Sequence, residues 1–248
     1  MTYSKHHSNH AFILILVLFI CMGAGSGCAF GKIPLSAAPI DSQVVDANTG
    51  KPIQGAVVVA YWQLRPGSLT GDSLPCGAAN VEEAVTDKEG RFHLPSWGPI
   101  MPACNGFMNE GDPEMYVFKF GYHSGRFDNG VSTANVVRTG STWADRQMKL
   151  KKFQKMDYQN RSAQSVVMDY DGINIDMGIF ITNMPTQCNW KKIPNMLRVL
   201  ELEREAISQA VGYPIGGITG DFIYNDQWYL KVAPKCGSPK AFLEGLIK

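Results

Sequence analysis

The sequence predicts a mainly β protein, a β-sandwich with long loops, followed by a C-terminal α/β extension that contains one long helix. Three observations predict it. Residues 56–64 are dominated by β-branched and aromatic side chains, as in a strand buried on both faces or one in a sandwich core. Short runs at 82–86 and 91–94 flank Asp87-Lys88-Glu89-Gly90, a hairpin loop with glycine where a left-handed residue is commonly needed. Residues 193–211 place Ile193, Met196, Leu197, Leu200, Ile207 and Val211 close to helical spacing, with Arg198, Glu201, Glu203, Arg204 and Glu205 expected on solvated faces. Pro194 suits the first turn of that helix, and Gly212 with Pro214 ends it.

In chain order, Lys5 and three histidines precede an uninterrupted apolar run at 11–20 and a small-residue zone from Gly23 to Gly27. This is the layout of a secretory signal peptide, assigned to residues 1–27. The run is short for a bilayer span of ~20 residues. Cys28, preceded by Ser26 and Gly27, resembles the lipidated cysteine of bacterial lipoproteins. Gly25 stands where that pattern usually has leucine, so ordinary cleavage nearby and an uncleaved anchor remain alternatives. Ala29 is not aspartate, which by the sorting rule of enteric-type bacteria points toward the outer membrane. The expectation is an exported, lipid-anchored protein of the outer membrane or periplasm, with residues 28–39 as a tether rich in proline and small residues.

The sandwich is assigned to residues 40–152. Ile40, Val44 and Val45 lead into Asn48-Thr49-Gly50, a turn cluster, and Pro52 restricts the chain before the next strand. The set Val45-Asp46, Thr49-Gly50-Lys51-Pro52-Ile53 and Gly55-Ala56-Val57 is answered by Thr86-Asp87, Gly90-Arg91-Phe92 and Leu94-Pro95. It resembles the carboxypeptidase regulatory-like (transthyretin-like) domain family. The resemblance implies an architecture and supplies no catalytic group; an unrelated sandwich with the same turn grammar is the alternative. Further strands are expected at 114–121, 134–138 and 146–152, and two insertions at 66–80 and 95–113. The metallocarboxypeptidases that carry such a domain bind zinc through His-x-x-Glu, and neither His93 nor His123 has a glutamate three residues on. Hydroxyisourate hydrolases of transthyretin type end in Tyr-Arg-Gly-Ser, whereas this sequence reads Gly245-Leu246-Ile247-Lys248 there.

Beyond Cys21 and Cys28, four cysteines remain and allow three pairings. Cys76 with Cys104 and Cys188 with Cys236 is favoured, because each pair joins irregular segments within one half of the chain, and disulfides fit an oxidising compartment. Zinc is the rival use, without Cys-x-x-Cys spacing or a nearby histidine to support it. Residues 153–248 read as a helical and aromatic cap: a short helix at 162–170, the long helix, and strand material at 222–232 around a turn at Asn225-Asp226.

The formal net charge is +1, and loss of Lys5 with the signal region leaves neutrality, so no basic surplus points to nucleic acid. Lys149, Lys151, Lys152 and Lys155 alternate with Met148, Leu150 and Phe153, as on a strand with one solvated face. Gly121-Tyr122-His123-Ser124-Gly125 has the composition of a serine-hydrolase elbow in the wrong order. His93 is expected at a strand end, partly buried and hydrogen-bonded. Asp169, Asp171 and Asp176 lack the glycine and terminal glutamate of a calcium loop. No catalytic residue, cofactor or metal is therefore assigned. Trp97, Phe107, Tyr122, Phe127 and Trp143 fall in expected loops, where rings either meet a partner or anchor the loop. The resulting expectation is a non-catalytic binding or assembly module for an envelope protein or glycan. The alternative is a hydrolase in the C-terminal part using Asp169, Asp171, Glu201 or Glu205.

Overall fold

A computed structural model describes residues 34–66, 76–102, 106–108, 113–127, 143, 146–153 and 185–247. Among the described residues ten strands precede the helices: β1 (Leu35–Ala37), β2 (Ile40–Asp46), β3 (Val57–Pro66), β4 (Gly77–Val85), β5 (Arg91–Leu94), β6 (Trp97–Ile100), β7 (Gly106–Met108), β8 (Glu114–Phe118), β9 (Gly125–Phe127) and β10 (Gln147–Leu150). Among the described residues they form three sheets. β1 pairs with β6, β2 lies between a parallel β10 and an antiparallel β5, and the largest sheet runs β4-β3-β8-β9 with β7 beside the far end of β3. The expected strands at 114–121 and 146–152 thus appear with shorter bounds. The one at 134–138 and the short helix at 162–170 lie outside the described residues.

Strand alternation places two cores on the two faces of β3. Val58, Ala60 and Trp62 join Met115 and Val117 of β8 in a cluster with Ile40, Val44, Phe92, Leu94, Met148 and Leu150 from the β10-β2-β5 sheet. Val57, Val59 and Tyr61 point the other way and, with Tyr116 and Phe118, pack under the C-terminal helices. That is why residues 57–62 show no apolar and polar alternation: each face of the strand is covered.

The turns follow the predicted chemistry. Asp46 Oδ1 accepts the amides of Asn48 and Thr49, both at 2.9 Å, and Gly50 takes φ 68°. Asp87 Oδ1 accepts the amides of Glu89 and Arg91, and Gly90 takes φ 70° to close the hairpin. The buried Thr86 hydroxyl accepts the Ala56 amide at 2.8 Å and donates to the Ile53 carbonyl at 2.6 Å, tying the hairpin to the entry of β3.

Two expectations for the insertions are corrected. The segment 66–80 ends sooner than expected because β4 starts at Gly77, and 95–113 contains β6 and β7.

The helical part comprises α1 (Pro194–Val211), α2 (Ile218–Tyr224), α3 (Asp226–Val232) and α4 (Pro239–Ile247), with 3₁₀ turns at Pro185–Gln187, Asn189–Lys192 and Pro234–Cys236. Residues 222–232 are therefore helical, not strand. Ile218, Phe222, Tyr229 and Ala233 are all buried, and they recur at helical spacing around Trp190. Tertiary packing overrides the β preference of the aromatic residues. Phe222 lies 5.3 Å from Tyr229 and 5.9 Å from Trp190, and Phe242 lies 5.0 Å from Trp190.

Cys188 and Cys236 form a disulfide with Cα atoms 5.4 Å apart, the predicted pair. Closing a separation of 48 residues removes unfolded-chain entropy worth about 4 kcal/mol. Cys76 is also disulfide-bonded; its expected partner Cys104 lies outside the described residues.

β4 is the outer strand of its sheet, and the C-terminal part covers it with polar groups. Gln187 Oε1 accepts the Ala78 amide at 3.1 Å while its Nε2 donates to the Ala78 carbonyl at 3.5 Å, as a neighbouring strand would. Lys192 Nζ donates to Asn80 Oδ1 at 2.9 Å. Ile193, at the N-cap of α1, offers no side-chain cap, and Glu83 of β4 takes that role. Its Oε2 accepts from the Asn195 amide at 3.0 Å and Asn195 Nδ2 at 2.9 Å, and its Oε1 accepts the Met196 amide at 2.6 Å. No helix among the described residues is long and apolar enough to cross a membrane.

Candidate functional site

The turn after β8 creates an exposed ring. The Tyr122 amide donates to the Lys119 carbonyl at 3.0 Å, and Gly121 supplies the φ of 81° that this tight turn demands. Phe120, at the leading corner, is left 52% exposed. The turn is clamped from behind: His123 N donates to Lys151 O at 2.8 Å and Phe153 N to Gly121 O at 2.9 Å. Tyr122 packs beside the inner core, and its phenol is pushed up by burial and by the charge and hydrogen bond of Asp46.

Helix α1 carries two apolar stripes. Met196, Leu197, Leu200 and Ile207 are buried against the sheet and the other helices. Val199, Leu202 and Ala206, at i, i+3 and i+7, form a second stripe, with Leu202 39% exposed. Together with Phe120 they line an open groove of about 380 Å³. All four lining residues offer carbon side chains, while Arg198 and Glu205 stand exposed within one turn of Leu202.

The acidic residues of α1 are arranged differently from the expectation. Glu201 and Glu203, read from sequence as solvated, are buried at 2% exposure each. Arg204 Nε donates to Glu201 Oε2 at 2.7 Å and Nη2 donates to Oε1, a two-point ion pair. Burial pushes the Glu201 carboxyl up, but hydrogen bonding by Arg204 and Thr219, together with the Arg204 charge, outweighs it and leaves the group below its ordinary value. Such a carboxylate is tied up in structure. Glu205 is exposed, and Asp169 and Asp171 lie outside the described residues.

The five rings offered as partner contacts mostly turn inward. Trp143 is 2% exposed, donates its indole N–H to the Pro113 carbonyl at 2.9 Å and lies under the Arg146 guanidinium at 4.7 Å. As a partner contact it is thus corrected to an internal anchor. Trp97 is half-buried, edge-on to Trp62 at 5.3 Å, and Phe127 and Tyr122 pack against the inner cluster. Phe107 lies on β7, its side chain outside the described set. His93 is hydrogen-bonded on its strand as expected, its Nδ1 2.8 Å from Asp41 Oδ1 across the strand pair, but its burial is corrected: the side chain is exposed on the outer sheet face. Among the described residues no three His, Cys, Asp or Glu side chains converge.

Sequence reasoning missed Phe120, Val199, Leu202 and Ala206. The signals were present in Gly121 at a turn position and in the second i, i+3, i+7 series along α1.

No protein-family model matches the chain, and no curated protein sequence matches it. Among solved structures the chain is similar to a 9R-lipoxygenase from Cyanothece PCC8801 at 13% identity and a TM-score of 0.23, over 69% of this chain and 28% of that one. A likeness at that level carries no functional argument.

Proposed function

We propose that this chain is a non-catalytic, exported lipoprotein of the bacterial cell envelope, anchored through Cys28, whose folded part binds or assembles with a partner protein. The β-rich part is read as a transthyretin-like, carboxypeptidase regulatory-like sandwich. Supporting that reading are the two sheets that share a core through Trp62, Phe92 and Met148, and the glycine-closed hairpin at Asp87–Gly90. The signal-peptide layout and Ser26-Gly27-Cys28 support the address.

The observation that carries the binding reading is the exposed groove of Phe120, Val199, Leu202 and Ala206. A sugar is held by donors and acceptors aimed at its hydroxyls, and four carbon side chains provide none. Apolar side chains of a protein segment match such a lining, as in recognition of an amphipathic segment by a groove. The groove therefore favours protein over glycan.

The test uses the full chain in its native envelope. A photocrosslinking residue at Leu202 should give a discrete protein adduct, lost when Phe120→Glu is added, and radiolabelled fatty acid should enter the wild type but not Cys28→Ala. An adduct insensitive to Phe120→Glu, or no protein adduct at all, overturns the groove as a protein site. Equal labelling of the two chains overturns the anchor.

A further inference from the structure

A different exposed surface is carried by α2, α3 and the turn that follows. Tyr224 is 80% exposed and Trp228 49% exposed. Lys231 and Lys235 continue the series, so that four exposed residues recur at i, i+4, i+7 and i+11 from the end of α2 into the 3₁₀ turn at Pro234–Cys236. Neither lysine makes an ion pair among the described residues.

The acids of this stretch are turned to internal work. Asp221 Oδ2 accepts the Tyr229 hydroxyl at 2.8 Å and its Oδ1 accepts Asn225 Nδ2. Asp226 Oδ1 accepts the Ser238 hydroxyl at 2.6 Å and the Lys240 amide at 3.1 Å, and Ser238 in turn caps α4 by accepting the Ala241 amide at 2.9 Å. The outward-facing rings and charges of this stretch are therefore two rings and two amines, beside the neutral Asn225, Gln227 and Pro234. The backing is firm: Tyr229 is buried edge-on to Phe222, and Cys236 is held by its disulfide.

Exposed Tyr and Trp with neighbouring lysines have the chemistry of a bilayer interface. The rings are apolar with a polar tip, and lysine stems lie along apolar surface while their amines reach phosphate. The four side chains project from three short consecutive elements, α2, α3 and the 3₁₀ turn, on the side away from the buried Phe222, Tyr229 and Ala233, whereas an oligosaccharide needs a cleft. We propose that Tyr224, Trp228, Lys231 and Lys235 form a face that seats on an anionic phospholipid surface, the rings at headgroup depth and the amines on lipid phosphates. This surface is separate from the α1 groove, and the proposal does not depend on the groove's occupant.

The tryptophans make the test specific. Trp62, Trp143 and Trp190 are buried and Trp97 is half-buried, so Trp228 alone of the five offers a well-exposed ring to lipid. The full chain, reconstituted into vesicles carrying brominated acyl chains, should show tryptophan quenching when phosphatidylglycerol is abundant. The quenching should be weak in pure phosphatidylcholine and absent in Trp228→Phe. Lys231→Gln and Lys235→Gln should each weaken the quenching-derived partitioning about fivefold, and added salt should mimic them. Near-UV circular dichroism checks that these exposed replacements leave the fold unchanged. Quenching that is equal in neutral and anionic vesicles, or that persists in Trp228→Phe, overturns the proposal. So does protection of Trp228 from an aqueous quencher by an acidic polysaccharide but not by anionic vesicles.

Discussion

Replacing Gly90 by alanine should cost far more stability than the same change at Gly50, although the two glycines have almost the same backbone, φ 70° and φ 68°. A side chain in the left-handed region costs about 1–2 kcal/mol, partly offset by about 0.4–1 kcal/mol from the stiffer unfolded chain. Both variants carry that common penalty, which nets to about 1 kcal/mol. The surroundings differ. A Cβ at Gly50 meets nothing within 4 Å, whereas one at Gly90 would sit 2.5 Å from the Val44 carbonyl oxygen, 3.0 Å from the Ile53 nitrogen and 3.0 Å from Pro52 Cβ. Val44 O is itself the acceptor of the Ile53 amide at 3.0 Å, and Gly90 O accepts the Val44 amide at 2.8 Å, so neither neighbour can yield without opening a hydrogen bond. Overpacking of that kind adds roughly 1–3 kcal/mol. Gly90→Ala should therefore lose about 3 kcal/mol and Gly50→Ala about 1 kcal/mol, read as urea midpoints at unchanged slope. Asparagine is the control. It tolerates positive φ, so Gly50→Asn should be nearly neutral while Gly90→Asn stays as damaging as alanine. Equal losses at the two positions, or rescue of Gly90 by asparagine, would refute the close-packing argument.

Two further perturbations probe how the helical layer is fixed. Glu83→Ala removes the acceptor of three N–H donors at the start of α1 and should cost about 2 kcal/mol in urea titration. Glu83→Gln should cost under about 1 kcal/mol, because burial pushes this carboxyl up against its hydrogen bonds and a neutral isostere keeps one acceptor oxygen; equal loss in both variants would contradict that balance. Glu201 is the opposite case. Its folded-state pKa is depressed by Arg204, so its contribution is present above the ordinary value of 4.5 and is lost as pH falls through the folded value. Stability of Glu201→Gln should accordingly fall less than wild type between neutral pH and the acid limb, and parallel pH profiles would reject the ion pair as a source of acid sensitivity.

Local backbone demands were legible in the sequence because a single residue type answers them. Gly90 after Asp87, and Gly50 after Asn48, mark turns whose geometry depends on the residues within them. The run at 57–62 was legible as well, since a strand covered on both faces cannot alternate. The charged residues of α1 were not. A helical wheel assumes one buried face, but α1 also buries Glu201 and Glu203, and nothing local says that Arg204 will neutralise the first. Residues 222–232 were misread for a related reason. Aromatic content argues for strand by propensity, while burial at 218, 222, 229 and 233 argues for helix by spacing, and spacing reports the tertiary contacts that decide. Phe120 was hidden at the end of the expected strand 114–121, where its exposure depends on the turn that Gly121 permits.

The placement of the groove on the helical layer follows from how the main sheet spends its faces. In an antiparallel sheet with one solvated face, that face is polar and available to a partner. Here the face away from the inner core carries Val57, Val59, Tyr61, Tyr116 and Phe118, an apolar surface that must be covered. The C-terminal helices cover it, Gln187 and Lys192 occupy the free side of β4, and Glu83 fixes the start of α1. An uncovered sheet would leave these large side chains in water, at roughly 1.5–3 kcal/mol each. The helical layer is thus required by the sheet, and it has already used one apolar stripe of α1 for that purpose. The second stripe is only partly used in this way: Val199 packs against the core cluster, whereas Leu202 stays 39% exposed. Phe120 extends the same surface from a turn whose backbone is pinned to Lys151 and Phe153. The part of this surface left in water is Leu202 and Phe120, on which the proposed partner site rests, and Leu202 is the position where its removal can be separated from loss of the fold.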